Sequence, residues 1–387
     1  MEQNAQRFMQ MLRSELTGEE LPAALFQDMT AQEWSELFAL AKRQDVAHLL
    51  GDLIARDELP VPEGPKNALD EAFCEAVLRA QLFEGELKNV GAVFQKAGIP
   101  YLPLKGAVIR RLYPEPWMRT SCDIDILIRK EDIKQAEKRL TEDLGYRFEK
   151  HAYHELSLYS PSGVHLELHF SIEENTPMID GVLKRSWDYA EPVAKGSYCY
   201  RFQPAFLLFY AVAHAAYHFN GGGCGVRPLI DQYLLEQKVE YDRKVYAALI
   251  EEAGLPTFET QFSNLWQVWF AAGEHTDLTR RMESYILSAG IYGSSENRET
   301  VRLIQKRGRF RSFISRVWLP YRELIIKYPS LKGKRILQPF YEIRRWFSLL
   351  NPKRFKRVKN EMKTNLRVDE TQKEQIQTLL RDLELPI

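Results

Sequence analysis

Three carboxylates stand where an extended chain would ordinarily carry apolar side chains. In "CDIDILI" (122–128), Asp123 and Asp125 alternate with Cys122, Ile124, Ile126 and Ile128, which are expected to face the core. Residues two apart on a strand share a face and lie about 7 Å apart along it. The run "VHLELHF" (164–170) has the same plan: Val164, Leu166, Leu168 and Phe170 alternate with His165, Glu167 and His169. As neighbours in one sheet, the two runs would place Asp123, Asp125 and Glu167 on a common polar face. Carboxylates gathered without cations repel one another and raise each other's pKa. Mg²⁺ (or Mn²⁺) relieves the conflict, because hard divalent ions take oxygen ligands and share them with substrate phosphates. Two such ions about 3.5–4 Å apart clamp the attacking and leaving oxygens of a phosphoryl or nucleotidyl transfer. The expected chemistry is therefore metal-assisted transfer at phosphorus, with Asp123, Asp125 and Glu167 as the metal ligands. The matching polar face on the second run disfavours the blander reading, in which a lone Asp-x-Asp merely lines the wet side of a strand.

The elements that must hold these residues follow from periodicity. Residues 1–78 read as helical, with apolar residues at three- and four-residue spacing in "AQEWSELFALAKRQDVAHLLGDLIARD". "PVPEGP" interrupts the pattern, and a long helix then runs to Gly98, whose residue type suits a C-terminal cap. "IPYLPLKG" (99–106) predicts a short strand and "AVIRRLYPEP" a brief helical turn stopped by prolines. After the Asp-x-Asp strand, "KEDIKQAEKRLTEDLG" predicts a helix ending at Gly145. "HELSLYS" and "VHLELHF" form two strands joined across Pro161-Ser162-Gly163. From "FQPAFLLFYAVAHAAYHF" onward the pattern is helical again. The expected fold is α+β: a small mixed sheet flanked by N- and C-terminal helical regions. The expected division is 1–78 helical, 79–195 α+β core, 196–300 a helical domain closing the cleft, and 301–387 a basic helical region.

Composition narrows the classes of function. Lys plus Arg and Asp plus Glu both number 53, so net charge names no partner. The distribution is uneven: residues 301–360 hold eighteen Lys and Arg against two acidic residues, enough to mark a partner surface. Trp318, Tyr321, Trp346 and Phe347 are interleaved there, which suits nucleic acid or an anionic membrane; the plainer reading is a helical subdomain with its aromatics inward and its cations solvated. Cys74, Cys122, Cys199 and Cys224 show no CxxC pair, which argues against a disulfide scaffold or structural zinc site and for free, mostly buried thiols in a reducing compartment. The N-terminus lacks a signal-peptide core, and no apolar run approaches the ~20 residues needed to span a bilayer. A cytoplasmic location is expected, membrane-peripheral if the basic segment holds lipid.

The order "LKGAVIRRLY…R…CDIDILI…GY…VHLELHF" resembles the DNA polymerase β-type nucleotidyltransferase superfamily, and more narrowly its bacterial branch of uncharacterised nucleotidyltransferase-like proteins. The resemblance implies transfer of a nucleoside monophosphate from an NTP to a hydroxyl acceptor. Asp123, Asp125 and Glu167 would hold metal, and Lys105, Gly106 and Arg119 would contact the nucleotide. The branch resemblance extends to His169 and the helices "AHAAYH…RPLIDQYLL", placing His169, His214, His218 and Asp231 in the cleft or at the acceptor. Three features depart from the superfamily pattern: Ala107 follows Gly106 where a phosphate-contacting Ser is usual, the gap from Gly106 to Asp123 is longer than usual, and the third acid is Glu. The competing class is a non-catalytic binding or regulatory protein on the same fold, using its basic C-terminal region to hold a polyanion or membrane.

Other residues read more plainly. His214 and His218 are four apart on a helix, a spacing that fits zinc ligation but fits better two part-buried imidazoles packed among Phe206, Tyr210 and Phe219. Arg227 and Asp231, also four apart, are expected to pair on a helix surface. "NGGGCGVR" (220–227) lacks the Gly-Lys-Ser/Thr of a phosphate-binding loop and reads as a hinge or loop near the cleft.

Overall fold

The computed structural model describes residues 2–386 apart from 152–153, 175, 291–292, 306–317, 322–323, 326–327 and 348–367. Much of the basic stretch 301–360 therefore lies outside the described residues. The chain separates into two compact units, Met1–Tyr217 with Cys224–Ile291, and His218–Gly223 with Tyr292–Ile387.

The first unit opens with α1 (Glu2–Thr17), α2 (Ala31–Arg43) and α3 (Ala47–Arg56). Thr30 and Glu33 start α2 with reciprocal side-chain-to-backbone hydrogen bonds, satisfying amide groups that a helix start leaves without partners. The long helix α4 (Glu63–Ala97) ends at Gly98, at φ 70°, the left-handed conformation only glycine takes without cost. Short elements follow: β1 (Tyr101–Pro103), α5 (Lys105–Ile109) and β2 (Asp123–Ile128). Next come α6 (Ile133–Leu144), closed by Gly145, and then β3 (Arg147–His151), β4 (Glu155–Tyr159) and β5 (His165–His169).

The five strands form one mixed sheet in the order β1-β2-β5-β4-β3, in which β2 and β5 are parallel and the other pairs antiparallel. Period-two alternation explains its two faces. Ile124, Ile126, Ile128, Leu156, Leu158, Leu166 and Leu168 pack against Phe83, Val90 and Phe94 of α4 and against Ile133, Ala136 and Leu140 of α6. The opposite face of β2, β5 and β4 carries the polar side chains. β3 has no apolar alternation to reveal it; all five residues are exposed, and its Arg, Glu, Lys and His protect the sheet edge from further pairing. Two expectations need correction here. Cys122 precedes β2 and is exposed, as is Cys74; Cys199 is half-buried and Cys224 alone is buried, so the thiols are not mostly internal.

The sheet is followed by α7 (Pro177–Leu183), the small hairpin β6 (Ala190–Pro192) and β7 (Tyr200–Phe202), and α8 (Pro204–Asn220). Then come α9 (Arg227–Lys238), α10 (Arg243–Glu252), α11 (Pro256–Phe270) and α12 (Asp277–Ser288). Among the described residues no helix is long and apolar enough to cross a membrane.

The second unit contains α13 (Ser295–Gln305) and the helices Gln338–Phe347 and Glu370–Asp382. Gln372 Nε2 donates to Asn297 Oδ1 at 3.3 Å, and Asn220 Nδ2 to the Pro386 carbonyl at 2.9 Å. The glycine loop has a packing reason. A Cβ on Gly293 would meet the Gly222 carbonyl oxygen at 2.3 Å, and one on Gly222 would meet Arg298 Cα at 2.9 Å. These glycines let two backbone segments touch.

Candidate active site

β2 and β5 run side by side with Asp125 opposite Glu167, Asp123 opposite His165 and Leu127 opposite His169. β4 extends the same face, setting Ser157 opposite Glu167 and Glu155 opposite His169. The two alternating runs thus meet in the register that collects their polar residues. The three carboxylates do not form one triad. The ligand atoms instead fall into overlapping groups: Asp125, Glu167 and His169; Asp123, His165 and Glu167; and His154, Glu155 and His169.

The electrostatics show the strain of this gathering. Burial, with Glu155 and Asp125 nearby, pushes the Glu167 carboxyl up to about 7. Asp123 is likewise raised, by burial and by Asp125. Burial works to raise Asp125 too, but the His169 hydrogen bond and charge, with Lys105 and His214, hold it below the usual carboxylate range. His169 Nε2 donates to Asp125 Oδ1 at 2.9 Å and lies 3.6 Å from Glu167 Oε2. Burial opposes the imidazolium, yet Asp125, Glu167 and Glu155 raise it above its ordinary value. Half-buried carboxylates whose crowding raises Asp123 and Glu167, together with a buried Ser157 Oγ and His165 Nε2 that make no hydrogen bond, are the donor chemistry a divalent cation completes.

Lys105 and Gly106 are brought to this face by one main-chain bond, from the Leu104 N–H to the Asp125 carbonyl at 2.9 Å. The helix starts at Lys105, two residues earlier than expected, because Leu104 is the last extended residue. Burial pushes the Lys105 ammonium down to about 8, partly offset by Asp125 and Glu174, and its Nζ sits 5.3 Å from the centre of the Tyr210 ring. Around Gly106, Arg110 donates from Nε to the Gly106 carbonyl at 2.9 Å and from Nη2 to Ser121 Oγ at 2.8 Å. A Cβ on Gly106 would lie 3.4 Å from Arg119 Nη1 and 3.7 Å from Ser121 Oγ. The turn is thus bordered by two guanidiniums and a hydroxyl.

Arg119 is fixed by Asp231. Its Nε donates to Asp231 Oδ1 at 2.8 Å and its Nη2 to Oδ2 at 2.7 Å, while the Tyr113 hydroxyl donates to Oδ1 at 2.8 Å. Arg119 is 6% and Asp231 5% exposed, so the fork is desolvated and carries more weight than a surface pair. This corrects the expected Arg227–Asp231 pair. Arg227 Nη2 pairs with Asp45 Oδ2 instead, and Asp45 also accepts from Thr120 Oγ1 at 2.9 Å. With His48 Nε2 bonded to the Met118 carbonyl at 2.8 Å, the turn after α2 and the first turn of α3 hold the loop that carries Arg119.

His214 also reaches this region: its Nδ1 lies 3.1 Å from Glu174 Oε1, and burial, with Lys105 close by, holds its pKa well below the ordinary value. His218 belongs to the second unit, where its carbonyl accepts from Gly221 and Gly223. Among the described residues neither histidine joins a metal-capable group of three. Sequence reading misses Glu155, Ser157, Tyr113 and Glu174. The alternation of "HELSLYS" is a usable signal for the first two; Tyr113 and Glu174 lie outside regular elements and have none.

No functionally curated protein matches the chain. A family model described as uncharacterised nucleotidyltransferase matches residues 30–271, more than half of the 387, a span holding every residue of this polar face together with Arg119 and Asp231. The chain therefore belongs to the uncharacterised nucleotidyltransferase family.

Proposed function

We propose that the protein transfers a nucleoside monophosphate from an NTP to a hydroxyl acceptor. The observation that carries this reading is the pairing of Asp125 with Glu167 across β2 and β5, beside a turn lined by Lys105, Arg110 and Arg119. Asp123, Asp125 and Glu167 would hold divalent metal, which when bound neutralises the phosphates and the charge developing at phosphorus. Arg119, locked by Asp231, presents a pre-oriented guanidinium beside Gly106, and Lys105 adds a point charge. Ala107 supplies no hydroxyl for phosphate; Ser121 Oγ is the nearest one beside Gly106. Glu167 would accept the acceptor's proton as that oxygen bonds to the α-phosphorus and pyrophosphate departs. Most of the rate comes from holding these groups in place and excluding water.

Calorimetric titration of each NTP with Mg²⁺ or Mn²⁺ tests the reading. Wild type should bind at least one NTP only with metal present, and Asp123→Asn/Asp125→Asn should not bind it. Absence of NTP binding by a folded wild type would remove the transferase reading and leave the binding-protein class.

One observation favours a further role for the basic C-terminal region. Ile336, Phe340, Ile343 and Phe347 are spaced four, three and four residues apart and are 90%, 69%, 46% and 65% exposed. The opposite side of the helix Gln338–Phe347 is anchored: Gln338 Nε2 donates to the Leu319 carbonyl at 2.9 Å, and Glu342 accepts from the Leu319 N–H at 2.6 Å and from Arg345 at 2.7 Å. Lys332, Lys334, Arg335 and Arg344 around the apolar side chains are exposed. An apolar stripe between cations suits an anionic membrane surface, where each nearby cation contributes about 1 kcal/mol. Isoleucine offers no stacking face to a nucleic-acid base, which favours lipid. The protein should co-sediment with phosphatidylglycerol vesicles and not with phosphatidylcholine vesicles, and Phe340→Glu/Phe347→Glu should lose that binding. Equal sedimentation of the variant would rule the surface out.

A further inference from the structure

Each aspartate of the polar face is matched by an imidazole. We infer that the site holds metal in two mixed nitrogen–oxygen sets sharing Glu167, and so prefers a first-row transition ion to Mg²⁺. One set is Asp125, Glu167 and His169; the other is Asp123, Glu167 and His165. The inference rests on the transferase reading for its location and goes beyond it in naming the ligands and the class of ion.

Three observations support it. The first is spacing: in each set the ligand atoms lie within 4.8 Å of one another. In the first set His169 Nε2 is 2.9 Å from Asp125 Oδ1 and 3.6 Å from Glu167 Oε2. Ligand atoms around one ion at a bond length of about 2.1 Å lie roughly 3.0–3.5 Å apart, so a small adjustment admits an ion where a proton now bridges Asp125 and His169. Second, His165 Nε2 is buried without a hydrogen bond, although Glu149 Oε2 lies 3.3 Å and Glu167 Oε1 3.8 Å away. An imidazole kept only for packing would ordinarily find a hydrogen-bond partner. Third, both rings are held in orientation. His165 stacks on Tyr159 with centroids 4.7 Å apart, His169 on His154 at 6.0 Å, and Glu155 Oε2 sits 3.9 Å from His169 Nδ1, on the ring edge away from Asp125. At 3.9 Å Glu155 acts on that ring edge through its charge, short of the hydrogen bond that would fix a metal-bound imidazole.

Nitrogen donors decide the metal. Imidazole binds Co²⁺, Fe²⁺ and Zn²⁺ readily, whereas Mg²⁺ takes carboxylates, phosphates and water. The third group, His154 with Glu155 and His169, would need the other nitrogen of His169, so one His169 ring does not serve both.

The test is titration of the full-length protein with CoCl₂ and with MgCl₂, without nucleotide, by calorimetry and by the visible absorption of Co²⁺. Wild type should bind Co²⁺ at least tenfold more tightly than Mg²⁺. His169→Gln and His165→Gln should each weaken Co²⁺ binding about 10–100-fold and shift the cobalt spectrum, with Mg²⁺ affinity changing less than about threefold. His169→Asn, which like the glutamine puts an amide oxygen in place of the ring nitrogen, should move the preference toward Mg²⁺ in the same direction. His154→Gln, which removes only a ring stacked on His169, should weaken Co²⁺ binding much less than His169→Gln does and leave the preference over Mg²⁺ in place. Equal affinity for the two ions in wild type would overturn the mixed donor sets while leaving metal-dependent NTP binding intact. Loss of the preference in His154→Gln alone would place the ion in the third group and overturn them too. If neither ion bound, with or without NTP, the transferase reading itself would fail along with the proposal.

Discussion

Replacing Asp231 by alanine should destabilise the protein by about 3–5 kcal/mol, the usual cost of breaking a buried ion pair from one side. Asp231 sits on α9 and accepts both arms of the Arg119 fork and the Tyr113 hydroxyl, in a place where all three are buried. Alanine leaves a desolvated guanidinium with no counter-charge and an orphaned phenol. Asparagine should cost less, because its carbonyl still accepts one of the three hydrogen bonds. Arg119→Met combined with Asp231→Ala should recover part of the loss, since a dry apolar pair replaces an unpaired charge. Chemical denaturation of the four proteins checks the order. A loss below about 1 kcal/mol in Asp231→Ala would mean that Arg119 finds another partner and is not held for the nucleotide by this contact. In the stable variants, NTP affinity should fall with the fork, because Arg119 then leaves Gly106.

Glu167→Gln should have opposite effects on stability and on metal binding. With its folded pKa raised from an ordinary 4.5 to about 7, Glu167 binds a proton more tightly in the folded state than in the unfolded. Wild-type stability therefore declines as pH rises from about 4.5 to about 7, and the penalty is constant above that. The full shift would be worth about 3 kcal/mol, and screening at a carboxyl that keeps some solvent contact reduces this to about 1–2 kcal/mol. Metal-free Glu167→Gln should accordingly melt higher than wild type at pH 8 and equal to it near pH 4.5. Adding divalent metal should reverse the order at pH 8, since only wild type gains stability by binding it, and turnover in the variant should drop by about a thousandfold. Identical melting of the two metal-free proteins at pH 8 would show that Glu167 is not under charge repulsion in the fold.

Local features of the fold are legible in the order of residues. Alternation with period two locates β2, β4 and β5, and the 3.6-residue period locates the flanking helices, because both patterns are set by which side of a single element is buried. Gly98 and Gly145 mark helix ends through backbone conformations that bulkier residues resist. The same locality explains the failures. β3 is exposed along its whole length and carries a single apolar residue, Phe148, so no alternation announces it. Extending the alternation one residue beyond β2 puts Cys122 in the core, where it does not lie. The spacing of i to i+4, the one cue a lone helix offers, pairs Asp231 with Arg227; its true partner is 112 residues away.

Bond geometry along a few residues is enough to put Asp123 and Asp125 on one face of a strand, to put His165, Glu167 and His169 on a face of another, and to set a Lys-Gly turn ahead of them. No such short stretch fixes that β2 and β5 lie parallel in the register that sets Asp125 against Glu167 and Asp123 against His165. A shift of one residue would have turned every carboxylate into the core, so burial of the isoleucines and leucines on the other face selects the register. The grip of Asp231 on Arg119, and the seat of Glu155 behind His169, also come from packing in three dimensions. Contacts between distant segments depend on how whole elements meet, and they leave no trace in local spacing.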